Sequence, residues 1–301
     1  MSPAMTSRSL YKYLSVEGAR LTLGNRCFKH AKPSTFNDTE DLTIRSLFPE
    51  DDETALTIIE NNFTDLLLKH VDDVPTCLNE EMRAKVALIL AAFKANPDAA
   101  RIIKEAKKKM PSVFNLEHMK QRHRDFVAEI NSFMQGFRIL CVSSRKDSER
   151  MWDRYAGGHK GIVLKISPSV DKDSKFQRFL PVAYRARRPT FYESAEAFQE
   201  SGLFGDQLAR IRDAMDKIVY AKTLEWEYEN EYRLAIPVHS DNDWDTLGYH
   251  PEELSELYLG ANAPNNWKAA IVALAESINP DIAVYEMFYN GNGNLLSRFF
   301  H

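Results

Sequence analysis

Glutamates recur at alternate positions in WEYENEYR, where Glu227, Glu229 and Glu231 precede Arg233. Read as a strand from Trp226 to Arg233, the segment puts those four charges on one face and Trp226, Tyr228, Asn230, Tyr232 and Leu234 on the other. Neighbouring carboxylates on such a face stand about 6 to 7 Å apart. Each pair repels by about 0.6 kcal/mol in water and by severalfold more in a cleft. A metal ion, a cationic partner or a substrate developing positive charge would turn that repulsion into preorganisation. The plainer alternative is an edge strand whose solvated acids discourage aggregation.

Two further segments concentrate polar and aromatic side chains. In MWDRYAGGHKG, Met151 to Gly161, the residues Trp152, Arg154, Tyr155 and His159 surround a Gly157-Gly158 turn. Trp152 and Tyr155, three apart, share a face of a helical turn and serve either a ligand or the core. His159 has no second His or Cys at ligand spacing, so no metal site is read from it. In PSTFNDTE, Asn37 and Asp38 suit a tight turn, and Asp38 can cap a helical turn. The same loop, held by a buried Phe36, would present Asn37, Asp38 and Glu40 to a polar ligand.

These segments need a scaffold, and the apolar pattern supplies one. SLYKYLS reads as a strand followed by a helix from Val16 to Leu23. From Thr54 to Phe133 apolar residues recur at helical spacing, with one helix opening at Pro97 and stopped by Pro111. FRILCVSS (137–144) and GIVLKIS (161–167) have strand composition, with helical turns in SERMWDRYA between them. PVAYR and EYRLAIPV add strands, residues 193–224 read as helical, and the tail offers the helix NWKAAIVALAES and the strand IAVYEMFYN. The fold class is α+β, with a mixed, mostly antiparallel and potentially split sheet. A core domain of residues 1–50 and 136–301 carries a helical insertion at 51–135.

Composition narrows the functional classes. The chain has 301 residues, 44% hydrophobic and 27% charged, which is the balance of a globular protein able to bury a large core. A net charge of −4 excludes a uniformly basic nucleic-acid binder, although Lys104 with Lys107 to Lys109, and Arg185 with Arg187 and Arg188, form local basic clusters. Cys27, Cys77 and Cys141 make no disulfide framework or metal knuckle. The start MSPAMTSRS lacks a signal-peptide core, and no apolar run is long enough to cross a bilayer. A cytoplasmic protein with no membrane partner is expected.

Taken in order, SLYKY, PSTFNDTE, RILCVSS, MWDRYAGGHKGIVLKI, PVAYR, AKTLEWEYENEYRL and ELYLGA resemble the bacterial domain-of-unknown-function 2971 family over most of the chain. The most specific parts are FND with Glu40, MW followed by YA and HKG, and W-x-Y-E-x-E-Y-R with Lys222 shortly before it. Thr39 departs from the proline usual after FND, which leaves that turn less rigid. The layout is also similar to the split-sheet plan of ADP-ribosyltransferase-like enzymes, which use NAD as substrate. That similarity would place Lys12 with Tyr11 or Tyr13 on the early strand, Ser143 or Tyr155 in the middle, and Glu229 with Glu231 on the late strand.

In this reading, breaking the nicotinamide–ribose bond develops an oxocarbenium-like cation that a carboxylate stabilises. Glu231 would serve the ribose hydroxyl and the cation, and Glu229 would orient the acceptor, a protein or nucleic acid. Trp152 or Tyr155 would stack on nicotinamide, and Lys12 or Arg154 would hold the pyrophosphate. No metal is required. Two other readings stand beside it. One is a metal-dependent nuclease or phosphoesterase with Asp38, Glu40, Glu229 and Glu231 on magnesium or manganese. The other is a non-enzymatic defence sensor that binds a nucleotide or a phage protein. Oligomeric state is not legible.

Overall fold

The computed structural model describes residues 9–73, 80–96, 98–99, 101–102, 105, 116–169, 171–204 and 207–300. The Lys104 and Lys107 to Lys109 cluster, Cys77, and the expected helix limits at Pro97 and Pro111 lie outside them. Two compact units are present: residues 1–41, 134–187 and 220–301 form the first, and 42–133 with 188–219 form the second. The helices of the 188–219 stretch thus group with the helical block. Among the described residues, no helix is long and apolar enough to cross a membrane.

The first unit is α+β. Its strands are β1 (Leu10–Leu14), β2 (Cys27–Ala31), β3 (Phe137–Ser143), β4 (Ile162–Ile166), β5 (Leu180–Pro181), β6 (Ala183–Arg185), β7 (Ala221–Thr223), β8 (Glu231–Pro237), β9 (Trp244–Gly248), β10 (Leu254–Leu259), β11 (Ala283–Tyr289) and β12 (Leu295–Phe299). The main sheet runs β12-β11-β10-β4-β1-β3-β2-β9, with β8 along β3 and β5 along β8. It is antiparallel except for β10 and β11, while β6 and β7 form a small parallel pair. PVAYR, expected as one strand, is divided between β5 and β6. Exposed Trp244 and Phe299 sit on β9 and β12, two strands that carry no strong apolar alternation and that the sequence reading did not find.

Period-two alternation builds a core on each face of the sheet. Leu10, Leu14, Leu140, Ile162, Leu164 and Leu234 meet Ala19 and Leu23 of helix Val16–Gly24 and Ile271 and Val272 of helix Asn265–Ile278. On the other face, Tyr11, Tyr13, Val163 and Tyr258 pack with Trp152 of helix Glu149–Tyr155. Ser15 caps the first helix, its Oγ accepting from Gly18 N at 3.1 Å. Close backbone approach requires glycine at one crossing: a Cβ on Gly260 would lie 2.1 Å from His159 O.

The sheet divides at β3. Along one edge β3 pairs with β8 over its whole length, from Phe137↔Pro237 to Ser143↔Glu231. Along the other edge β1 pairs only at Tyr11↔Ser143, and β2 only at Ala31↔Ile139. The carbonyl of Cys141, halfway between, therefore faces a gap with no strand partner. Lys12 fills the vacancy, its Nζ donating to Cys141 O at 2.8 Å.

The second unit is helical, with helices Asp52–Lys69, Glu80–Ala95, Leu116–Met134 up to Phe133, Ala195–Phe204 and Gln207–Val219. Asp51 caps the first, accepting from Glu53 N and Thr54 N. Leu67, Val86, Leu90 and Phe93 form its apolar centre. His123 ties its entering loop, with Nδ1 2.7 Å from Asp52 and Nε2 accepting from Leu47 N at 3.0 Å.

Candidate functional site

WEYENEYR is not a continuous strand. Leu224–Glu229 form a 3-10 helix, Asn230 takes a left-handed conformation (φ 44°, ψ 51°), and β8 begins only at Glu231. The expected split into a charged and an apolar face therefore fails for Trp226 to Asn230 and holds from Glu231 onward. Asparagine tolerates the left-handed turn better than other non-glycine residues. The turn brings Glu229 and Glu231 together from two different elements. Ser143 Oγ donates to Glu229 O at 2.7 Å, Ser144 N donates to Asn230 O at 3.0 Å, and Tyr184 Oη accepts from Glu231 N at 2.8 Å. These bonds fix the turn against β3 and β6.

The two glutamates meet cations of their own chain. Lys222 Nζ lies 2.6 Å from Glu229 Oε2, 3.3 Å from Glu231 Oε2 and 3.6 Å from Asp41 Oδ2. Arg233 donates through Nε to Glu231 Oε1 at 2.8 Å and through Nη2 to its Oε2 at 3.0 Å. It also grips Asp41 with Nη1 and Nη2 at 3.1 and 2.5 Å. All five side chains are buried. Three carboxylates facing two cations leave the cluster one negative charge in excess, so loss of either cation would strand buried charge.

Burial and partners push the two glutamates apart in acidity. Burial raises both; for Glu231 the Arg233 and Lys222 charges outweigh it and hold the carboxyl below the usual range. For Glu229 burial prevails over Lys222, and repulsion by Glu231 adds to it, so the carboxyl titrates above that range. Tyr155 Oη donates to Glu229 Oε1 at 2.6 Å, and burial followed by the Glu229 charge raises the phenol. Burial also depresses Lys12, which has a carbonyl and no carboxylate as direct partner. Burial and Glu231 raise the Cys141 thiol, which makes it a poor nucleophile.

A pocket of about 460 Å³ opens at the sheet division, within the range of small-molecule sites. Its lining draws on both sheet faces and includes Tyr11, Lys12, Tyr13, Asn37, Asp38, Ser143, Tyr155, Glu229 and Glu231. The FND loop reaches it through a turn in which Glu40 N donates to Asp38 Oδ1 at 3.1 Å, and Phe36, expected to be buried, is a half-buried part of the wall. Three expected residues are elsewhere. Trp152 is fully buried, its Nε1 donating to Lys146 O at 2.8 Å. His159 is buried against it, 3.2 Å from Tyr289 Oη. Arg154 is exposed, its Cζ 4.5 Å from the Trp226 ring centroid.

Asp41, Tyr184 and Cys141 were not expected at the site, and Trp226 was expected only on the apolar face of the strand. The signal for Asp41 was Arg233: an arginine among carboxylates on a core strand needs a bidentate partner, and the FND loop holds the acids. Among the described residues no group of His, Cys, Asp or Glu is arranged to hold a metal ion. Among the four acids considered for that role, Glu229 and Glu231 are engaged by Lys222, and Glu40 is not part of the pocket wall.

Comparison with known proteins finds a family match over part of the chain. Residues 151–234 match the family described as Protein of unknown function (DUF2971). The matched stretch carries Tyr155, Lys222, Glu229, Glu231 and Arg233. No curated protein and no solved structure matches the chain.

Proposed function

With residues 151–234 matching DUF2971, a family whose description assigns no activity, we propose that the pocket binds NAD and that the chain transfers ADP-ribose to a macromolecular acceptor. The observation that carries this reading is the paired glutamates at one wall of the pocket, shifted in opposite directions by their surroundings. Such pairs divide into a base and a fixed anion. Glu231, held ionised by Arg233 and Lys222, would stabilise the ribosyl cation as the bond to nicotinamide breaks. Glu229, the weaker acid, would accept the proton of the attacking acceptor. Tyr155 would orient Glu229, and Lys12 has donors left for a phosphate oxygen. A cytoplasmic setting in bacterial defence or a toxin–antitoxin pair belongs to the same proposal.

The test is release of nicotinamide from labelled NAD by the purified chain in cell extract. Glu231→Gln and Glu229→Gln should each abolish it while tryptophan fluorescence stays native. No NAD consumption by the unaltered chain would sink the reading. One observation favours a second reading: the carboxylates already have partners in their own chain, as in a binding module. Tight nucleotide binding that yields no product and survives Glu231→Gln would favour that sensor.

A further inference from the structure

Two arginines beside the pocket meet aromatic rings in place of carboxylates. Arg150 Cζ lies 3.7 Å from the Tyr228 ring centroid, and Arg154 Cζ lies 4.5 Å from that of Trp226, which is part of the pocket wall. Both arginines are exposed, and among the described residues neither has an ion-pair partner. Acids do flank them: Asp153 lies 3.4 Å from His159 Nε2, and Glu225 accepts from Thr223 Oγ1 at 2.9 Å, while Glu149 and Glu227 are exposed. Contact with a ring face engages each guanidinium without using its N–H donors, which stay available to an incoming acceptor.

The spacing selects the ligand. Positions 150 and 154 lie one helical turn apart on helix Glu149–Tyr155, and the two rings that receive their guanidinium groups have centroids 6.2 Å apart. That step is of the order between successive phosphates on an extended nucleic-acid strand, and longer than the separation within a diphosphate. Lys222 Nζ lies 4.5 Å from the Trp226 centroid as well, so cations already crowd that ring, which favours phosphate contact over base stacking there. We propose that Arg150 and Arg154 hold two successive phosphates of single-stranded nucleic acid and lead the strand to the pocket beside Glu229. The strand would be the acceptor, a role that rests on the ADP-ribosyl transfer reading. A nucleophilic oxygen or nitrogen of the strand bonds to the ribosyl carbon, nicotinamide leaves with the electron pair of its bond, and the nucleophile's proton passes to Glu229.

Binding is measured first, without NAD, as fluorescence anisotropy of labelled single-stranded DNA and RNA 12-mers with the full chain. At low salt at least one should bind. Arg150→Ala with Arg154→Ala should weaken it at least tenfold and flatten the slope of log affinity against log salt by about 1.4, from about 0.7 per phosphate. Arg298→Ala, at an exposed arginine paired with Glu286, should bind as the unaltered chain does. Absence of binding, an unchanged affinity in the double variant, or equal competition by a polyglutamate peptide would overturn the proposal. Labelled NAD is then added. Label on the oligonucleotide supports the acceptor role, and label on protein alone refutes it. Binding that depends on both arginines with no NAD consumed keeps the strand site and removes the transfer reading.

Discussion

Replacing Lys222 by methionine removes the ammonium shared by Glu229, Glu231 and Asp41, and the cost should depend on pH in a calculable way. Glu231 and Asp41 keep Arg233, whereas Glu229 loses its ion-pair partner and must either stay charged in the core or take up a proton. A half-broken buried pair costs about 3–5 kcal/mol. Protonation caps the loss: holding neutral a carboxyl with an ordinary pKa of about 4.3 costs about 5 kcal/mol near pH 8 and about 1.6 kcal/mol near pH 5.5. The sign follows from the raised folded pKa of Glu229, which favours the protonated folded state and so adds relative stability as pH falls. Lys222→Met should therefore lose about 3–5 kcal/mol near pH 8 and about 2–3 kcal/mol less near pH 5.5.

All four tryptophans, Trp152, Trp226, Trp244 and Trp267, belong to the unit that holds this cluster, so urea unfolding followed by tryptophan fluorescence reports on it. Adding Glu229→Gln should restore stability to within about 1.5 kcal/mol of the unaltered chain and abolish the pH dependence. Equal losses at the two pH values, or costs that simply add in the double variant, would refute the account of Lys222 as the counter-charge of Glu229.

Other consequences are as direct. Tyr155→Phe removes a hydrogen bond that lowers the Glu229 pKa, so if Glu229 is the base, the acidic limb of the pH profile of NAD turnover should move upward; an unmoved limb separates the two groups. Gly260→Ala drives a Cβ to 2.1 Å from His159 O and 2.9 Å from Gly161 O and should cost more than about 3 kcal/mol in urea unfolding, against which a loss under 1 kcal/mol would count. At the left-handed Asn230, glycine should be nearly neutral and alanine should cost about 1–2 kcal/mol in the same assay, an order that a strand conformation would not produce.

Strand composition in LYKYL and GIVLKIS exposed the central strands, because both faces of this sheet are buried and the segments are apolar almost throughout. Helical spacing likewise exposed the block beginning near Thr54. WEYENEYR misled for a physical reason: a short 3-10 helix ended by a left-handed residue can bring alternate glutamates to one place as a strand would, and only tertiary bonds from Ser143 and Tyr184 distinguish the two. Trp152 and His159 look like ligand groups in sequence because aromatic residues beside glycines are shared by sites and cores. Asp41 stayed hidden because its partner is distant in the chain, and no local rule couples them. Tyr184 reaches the site through a two-strand pairing of three residues, too short to leave a pattern.

The Lys12 contact with Cys141 O places a demand on whatever enters the pocket. The ammonium serves as the missing neighbour of β3, completing a ladder that the divergence of β1 and β2 leaves open. A ligand that drew Lys12 fully onto an anionic group would orphan a half-buried carbonyl, a loss of at most about 1–3 kcal/mol. The best ligand therefore brings its own donor, a hydroxyl or an amide N–H beside its negative charge, and hands it to Cys141 as it takes the lysine.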